Sequence, residues 1–144
     1  MNSKRIRVAI IEDDPDQMDY IIRCLADDYE ALPCEDAASY MRLCARQAPD
    51  LLLLDWMLPG ISGIELVTRL RLLGNPMPII MLSARCDEDS LVEALEAGAN
   101  DFMVKPVRRR ELNARLGALY RAAATLCPGR HPEKPVDKGS GHIC

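Results

Sequence analysis

The sequence predicts one α/β domain built as a doubly wound, five-stranded parallel sheet. Three observations predict it. Five apolar runs, at 5–11, 29–33, 51–54, 78–82 and 101–104, begin at intervals of 22 to 27 residues, the rhythm of right-handed βαβ crossovers. Leu51-Leu52-Leu53-Leu54 and Ile79-Ile80-Met81-Leu82 do not alternate with polar residues, as expected of strands covered on both faces. Helical periodicity fills the gaps between the runs.

Each element has its own signal. Strand one, Arg5–Ile11, is followed by Asp14-Pro15, a helix cap and an N1 proline. Met18, Ile21, Ile22 and Leu25 then fall at i, i+3, i+4 and i+7, one helix face. Strand two, Tyr29–Pro33, leads to a helix over Asp36–Arg46 with a weaker pattern. Strand three, Leu51–Leu54, precedes Ser62-Gly63-Ile64-Glu65, a capping-box pattern before Leu66, Val67 and Leu70. After strand four, Pro78–Leu82, Leu91 and Leu95 mark a helix that stops at Gly98. Strand five, Asp101–Val104, precedes a last helix carrying Leu112, Leu116, Leu119 and Ala123. There is no internal sequence repeat; the regularity belongs to the fold.

The domain is expected over 1–125. Residues 126–144 read as a linker or disordered tail, with Pro128, Pro132 and Pro135 among Gly129, Gly139 and Gly141. We expect the tail to be cut short before a further domain.

Composition narrows the function. Of 144 residues, 28% are charged and the formal net charge is −4, which argues against a domain that binds mainly nucleic-acid phosphates. The longest uncharged stretch, Leu72–Ala84, is too short to cross a bilayer, and no signal-peptide block follows Met1. A cytoplasmic location, with no membrane contact, is expected. The six cysteines show no C-x-x-C spacing, and both histidines lie near the end of the chain, so reduced structural thiols are expected rather than disulfides or zinc.

In open α/β sheets, ligands bind outside the carboxyl ends of the strands. There the sequence delivers Glu12-Asp13-Asp14 after strand one, Asp55 after strand three, Ser83 after strand four and Lys105-Pro106 after strand five. Asp14 reads as a helix cap. Glu12, Asp13 and Asp55 would repel one another beside one lysine, which raises carboxylate pKa values unless a cation relieves them. Carboxylate oxygens are ligands for Mg²⁺, which shares its sites with phosphate oxygens. A serine and a lysine nearby fit phosphoryl transfer, and a carboxylate can accept the group as an aspartyl phosphate.

At these residues the chain closely resembles the receiver domain of two-component response regulators. The matching pieces are Ile10-Ile11-Glu12-Asp13-Asp14, Leu53-Leu54-Asp55-Trp56-Met57-Leu58-Pro59-Gly60, Met81-Leu82-Ser83-Ala84-Arg85, and the run from Glu96 to Pro106. The phrasing is nearest the OmpR/PhoB-type group, whose members usually carry a C-terminal winged-helix DNA-binding domain. The resemblance implies a flavodoxin-like (CheY-like) sheet with strand order 2-1-3-4-5.

It also implies roles. Asp55 is the expected phospho-acceptor, with a phosphohistidine on a sensor histidine kinase as donor. Asp13, Asp55 and the backbone carbonyl of Met57 would ligate Mg²⁺, and Glu12 would act through water. Ser83 and Lys105 would each hold a phosphoryl oxygen. Phe102 stands at the switch-aromatic position, and phosphorylation would draw Ser83 inward with Phe102 following. The Lys105–Pro106 bond is expected to be cis. Met57 and Arg85 lie where the family tunes dephosphorylation.

The family's active homodimer uses the face of the fourth helix, fifth strand and fifth helix, where Asp101, Glu111 and Arg115 match its charged positions. Leu91 stands where a basic residue is usual, which would leave Glu111 unpaired. Val107 replaces the commoner Phe. Arg108-Arg109-Arg110 reads as a solvated face, without the aromatic interleaving of a nucleic-acid site. DNA contact is expected only through a domain absent from this chain.

Other readings fit less well. A stand-alone receiver would act by protein contact. A Mg²⁺-dependent aspartyl-phosphate phosphatase would commonly carry an acid two residues after its nucleophile, where this chain has Met57. A flavin-mononucleotide module would not place Glu12-Asp13-Asp14 where phosphate must bind. The expected protein is a signalling phospho-acceptor that assists its own phosphorylation and dephosphorylation, not an ordinary enzyme.

Overall fold

The computed structural model describes residues 5–126. Five strands and five helices alternate: β1 (Ile6–Ile11), α1 (Pro15–Cys24), β2 (Tyr29–Cys34), α2 (Ala37–Arg46), β3 (Leu51–Asp55), α3 (Gly63–Leu72), β4 (Ile79–Ser83), α4 (Glu88–Ala97), β5 (Asp101–Val104) and α5 (Arg109–Leu126). All strand pairs are parallel, in the order β2-β1-β3-β4-β5. The doubly wound topology expected from the sequence is therefore present. The expected linker over 126–144, with Cys127 and Cys144, lies outside the described residues apart from Leu126, the last residue of α5.

The continuous apolar runs follow from two separate cores. Because successive strand side chains point to opposite faces, Ala9, Ile11, Leu52, Leu54, Ile79 and Met81 pack with α2, α3 and α4. Val8, Ile10, Leu51, Leu53, Ile80 and Leu82 pack with Met18 and Ile21 of α1 and Leu112 and Leu116 of α5. All five residues of β3 and all five of β4 are buried. Burying a Leu or Ile side chain is worth roughly 1.5–3 kcal/mol, so a polar residue within either run must be compensated locally.

The helix caps are short polar side chains. Asp14 accepts from the Asp16 N–H at 2.9 Å, Asp36 from Ser39 at 2.8 Å and Asp87 from Ser90 at 2.9 Å. Asp36 is thus the cap of α2 rather than its first residue. Ser62 accepts from the Glu65 N–H at 3.2 Å, while the Glu65 carboxylate lies 3.9 Å from Arg69. Gly98, at φ 122°, ends α4 in a conformation that a side chain would strain.

Strand boundaries shift where chemistry sits. Pro78 has no N–H and stays outside β4, though its carbonyl still accepts from Leu52 at 2.9 Å. Asp55 and Ser83 are the last residues of β3 and β4, inside the ladder rather than beyond it. Asp55 pairs in register with Leu82, and Ser83 with Val104. Cys24, Cys34, Cys44 and Cys86 are free thiols, as expected.

Candidate functional site

The site is built at the carboxyl edge of β1, β3, β4 and β5. β3 and β4 end on the polar residues Asp55 and Ser83, and β1 and β5 are followed directly by Glu12 and Lys105, all beside backbone hydrogen bonds between neighbouring strands. Glu12 donates its N–H to the Cys34 carbonyl at 3.1 Å, Trp56 to Leu82 at 2.9 Å and Lys105 to Ser83 at 2.8 Å. The side chains of Glu12, Asp55 and Ser83 are therefore set by rigid backbone, and all three residues are buried. Asp13, on the connection to α1, is exposed.

Lys105 is the hub. Its Nζ lies 2.6 Å from Asp55 Oδ1 and 3.2 Å from Glu12 Oε1, and it donates to Gln17 Oε1 at 2.6 Å. The Lys105–Pro106 bond is cis, as expected. The second Glu12 oxygen accepts from the Asp14 N–H at 3.2 Å. Both Glu12 oxygens are thus engaged by the protein. The Asp13 carboxylate makes no hydrogen bond among the described residues. One oxygen from each of Glu12, Asp13 and Asp55 can be chosen so that all lie within 4.8 Å of one another.

The electrostatics are incomplete. Burial pushes the Asp55 carboxyl above its ordinary range and the nearby Asp13 adds to this, against the opposing pull of Lys105. Burial likewise raises Glu12, opposed by the Asp14 N–H. Burial alone would lower Lys105, but its bond to Asp55 and the charge of Glu12 outweigh that and raise it. The one ammonium pairs with Asp55 and Glu12, and Asp13 beside them has no cation of its own among the described residues. An all-oxygen donor set with unsatisfied negative charge fits a hard divalent cation such as Mg²⁺.

Three contributors carry no sequence signal strong enough to single them out. Gln17, in the first turn of α1, reaches Lys105 from outside the strand-end pattern. Gly63 opens α3 against the end of β3: its N–H donates to the Trp56 carbonyl at 2.8 Å, and a Cβ there would lie 2.5 Å from the Asp55 carbonyl oxygen. A glycine at a first-turn helix position was its available clue. Trp56 is buried, with Phe102 edge-on at 6.2 Å and 88° and the Arg85 guanidinium 5.3 Å from its ring centroid. Beside the site, a cavity of about 430 Å³ is lined by residues including Gln17, Tyr20, Lys105 and Val107.

The remaining expected residues fall into two groups. Phe102 is already buried, at 8% exposure, so any inward movement begins from an enclosed ring. Asp101, Glu111, Arg115 and Leu91 sit away from the acidic cluster on α4, β5 and α5. Arg115 bridges Asp101 at 3.0 Å and Glu111 at 3.0 Å, and Arg108 reaches Glu111 at 2.9 Å. The expectation that Leu91 leaves Glu111 unpaired is therefore corrected. Arg108, on the connection just before α5, and Arg115, four residues after Glu111 on α5, both reach its carboxylate.

A doubly wound sheet whose carboxyl edge gathers buried acids around a single lysine defines the class of acidic, cation-accepting α/β domains. Within that class, the chain belongs to the response regulator receiver domain family, which it matches over residues 8–117. It is 45% identical over 113 residues to the phosphate regulon transcriptional regulatory protein PhoB of Pseudomonas aeruginosa, covering 77% of this chain and 48% of that one. It is 39% identical to the transcriptional regulatory protein PrrA of Mycobacterium tuberculosis, over 80% of this chain and 50% of that one. The chain spans about half the length of these curated relatives. Among solved structures, the Francisella response regulator 1452 receiver domain superposes with a TM-score of 0.77 at 27% identity, over 83% of this chain and 99% of that one. The receiver domain of the sensor histidine kinase PA1611 from Pseudomonas aeruginosa, described with a magnesium ion in its active-site cleft, gives 0.72 at 28% identity, over 81% and 98%. The chain is thus a two-component receiver domain, a signalling module related to OmpR/PhoB-type transcription regulators. No helix among the described residues is long and apolar enough to cross a membrane.

Proposed function

We propose that the chain is a phosphorylation-driven switch in which Asp55 accepts a phosphoryl group from a phosphohistidine on a sensor histidine kinase. The observation that carries this reading is the buried Asp55 carboxylate, braced by Lys105 at 2.6 Å among acids it cannot satisfy. An Asp55 carboxylate oxygen attacks phosphorus as the P–N bond breaks; the departing nitrogen keeps the electron pair, and the proton already on the other ring nitrogen of the phosphohistidine lets it leave as neutral imidazole. Lys105 moves from Asp55 Oδ1 to a phosphoryl oxygen, and the Ser83 hydroxyl donates to another. Asp13, Asp55 and the Met57 carbonyl would hold Mg²⁺. Glu12 would act through water, since both its oxygens already have protein partners. The bound ion supplies neutralisation of carboxylate and phosphoryl charge. Attack of water on phosphorus later breaks the P–O bond to Asp55, restores the carboxylate and releases phosphate. The domain thereby assists both reactions.

The output is a change on the α4–β5–α5 face, with Phe102 as the inner element, that favours a homodimer through Asp101, Glu111, Arg115 and Leu91. PhoB and PrrA are named as transcriptional regulatory proteins and this chain spans about half of each, which supports a transcription regulator that reaches DNA through a domain beyond this chain; a cytoplasmic location belongs to the same reading. Incubation with Mg²⁺ and a small acyl phosphate, followed by intact mass, tests the chemistry. One phosphoryl adduct is expected, absent in Asp55→Asn and without Mg²⁺. The same adduct on Asp55→Asn would refute the assignment. Turnover of many phosphoesters would favour the phosphatase instead.

A further inference from the structure

Arg85 joins both halves of the site without pairing to any acid. Its guanidinium lies over Trp56, the single tryptophan of the chain, at 5.3 Å from the ring centroid. Its backbone N–H donates to Ser83 Oγ at 2.9 Å. Asp87 and Glu88 are close in sequence, yet among the described residues no carboxylate lies within 4.0 Å of the Arg85 guanidinium. One exposed residue thus ties the hydroxyl that ends β4 to the indole that follows Asp55, and that indole meets Phe102 edge-on.

We propose that Arg85 is a positioning residue: stacked on Trp56, it latches the β4–α4 connection in its resting place, and engagement of Asp55 by a phosphoryl group releases it. This rests on Asp55 being the phospho-acceptor. Ser83 Oγ accepts the Arg85 N–H two residues on, a tight local turn. A shift of Ser83 toward a phosphoryl oxygen therefore carries the Arg85 backbone with it and pulls the guanidinium off the ring. A phosphoryl group adds up to about two negative charges beside Trp56, and this field also draws the guanidinium from the neutral indole. The latch thus opposes the engaged state. A cation–π contact at an exposed site corresponds to a factor of about 2 to 5 in an equilibrium constant, and removing it shifts the balance toward engagement by that factor.

The test uses the full chain loaded with Mg²⁺ and titrated with beryllofluoride as the phosphoryl mimic. Trp56 emission and ¹⁹F signal are followed in the wild type and in Arg85→Ala, Arg85→Gln and Arg85→Lys. In the wild type, emission is expected to change as beryllofluoride binds. In Arg85→Ala and Arg85→Gln, resting emission should already lie near the engaged value and apparent affinity should rise about 2- to 5-fold. Arg85→Lys, which keeps a cation, should restore part of the wild-type response. An emission change of equal size in Arg85→Ala, or affinity that is unchanged or weaker in both Ala and Gln variants, would overturn the latch while leaving Asp55 as acceptor. Absence of a bound ¹⁹F signal in the wild type would overturn the reading of Asp55 and the release step together.

Discussion

Two charged clusters in this domain are built from the same side-chain chemistry and reach opposite electrostatic states. At the sheet edge, Glu12, Asp13 and Asp55 lie together with a single cation, Lys105, which reaches Glu12 and Asp55, and burial raises both of these above their ordinary range. On the α4–β5–α5 face, Asp101 and Glu111 share Arg108 and Arg115, and the hydrogen bonds from those arginines hold Glu111 below its ordinary range. The first cluster is short of positive charge and buried except at Asp13; the second is balanced and partly exposed. An unbalanced buried cluster is a place for a cation and a reacting group. A balanced exposed one can be rearranged at little cost, as a regulatory surface requires.

The largest predicted effect follows from the opposite pH signs. A carboxyl raised in the folded state costs stability that is absent below its unfolded pKa and grows as pH rises through the folded one. Asp55 and Glu12 therefore destabilise the metal-free domain progressively as pH climbs from their unfolded carboxylate values through their raised folded ones. A lowered carboxyl such as Glu111 does the reverse: its contribution is present above the unfolded pKa and lost as pH falls through the folded one. Mg²⁺ at a hundredfold excess over its Kd should add about 2.7 kcal/mol at neutral pH and almost nothing near pH 4, read by thermal unfolding. Asp55→Asn should gain stability without Mg²⁺ and lose most of the Mg²⁺ increment. An equal Mg²⁺ increment at both pH values would break the comparison, because the ion would then not be answering the buried acids.

Next in size is Gly63→Ala. The added Cβ would meet the Asp55 carbonyl at 2.5 Å and the Trp56 Cα at 3.1 Å, both backbone atoms that cannot rotate away. Overpacking of this kind costs about 1–3 kcal/mol. It should also lower the yield of adduct on Asp55 by moving the end of β3. Gly74→Ala has open space around its Cβ, yet its φ of 79° disfavours any side chain. It should destabilise through backbone strain while leaving adduct formation intact. Equal loss of adduct in both variants would show that Gly63 acts on stability alone.

These effects also mark what was legible in the residues. The doubly wound sheet could be read because β3 and β4 are apolar without interruption, and only two-sided burial produces that pattern. The strand-end acids, Ser83 and Lys105 could be read because the fold collects strand ends at one edge, so one-dimensional order becomes spatial proximity. Gln17 escaped because its contact with Lys105 depends on side-chain reach across elements, which no spacing rule encodes, and for the same reason the position of Arg85 was legible but its stacking on Trp56 was not. The supposed vacancy at Glu111 went wrong for a related reason. The basic residue missing from α4 at Leu91 is not needed, because Arg108, just before α5, and Arg115, one turn beyond Glu111 on α5, both reach the carboxylate. Neighbours close in sequence answer before a distant helix is needed.

The smallest predicted effects lie on that second cluster and test whether it is balanced. Glu111 already has two guanidinium partners, so Leu91→Lys brings a third cation to a satisfied carboxylate. Monomer stability should change by less than about 0.5 kcal/mol, the ordinary range for surface substitutions. Arg115→Ala removes both of its bridges, to Asp101 and Glu111, but Arg108 remains on Glu111. Exposed pairs contribute about 0.2–1 kcal/mol each, so the loss in urea unfolding should stay near the lower part of their sum and shrink further in high salt, where exposed charges are screened. The double variant Arg108→Ala, Arg115→Ala strips Glu111 of both partners, and Leu91→Lys should stabilise in that background more than in the wild type. If Leu91→Lys instead stabilises the wild type by well over 1 kcal/mol, Glu111 is not satisfied by Arg108 and Arg115. The two clusters would then share a shortage of positive charge rather than differ in it.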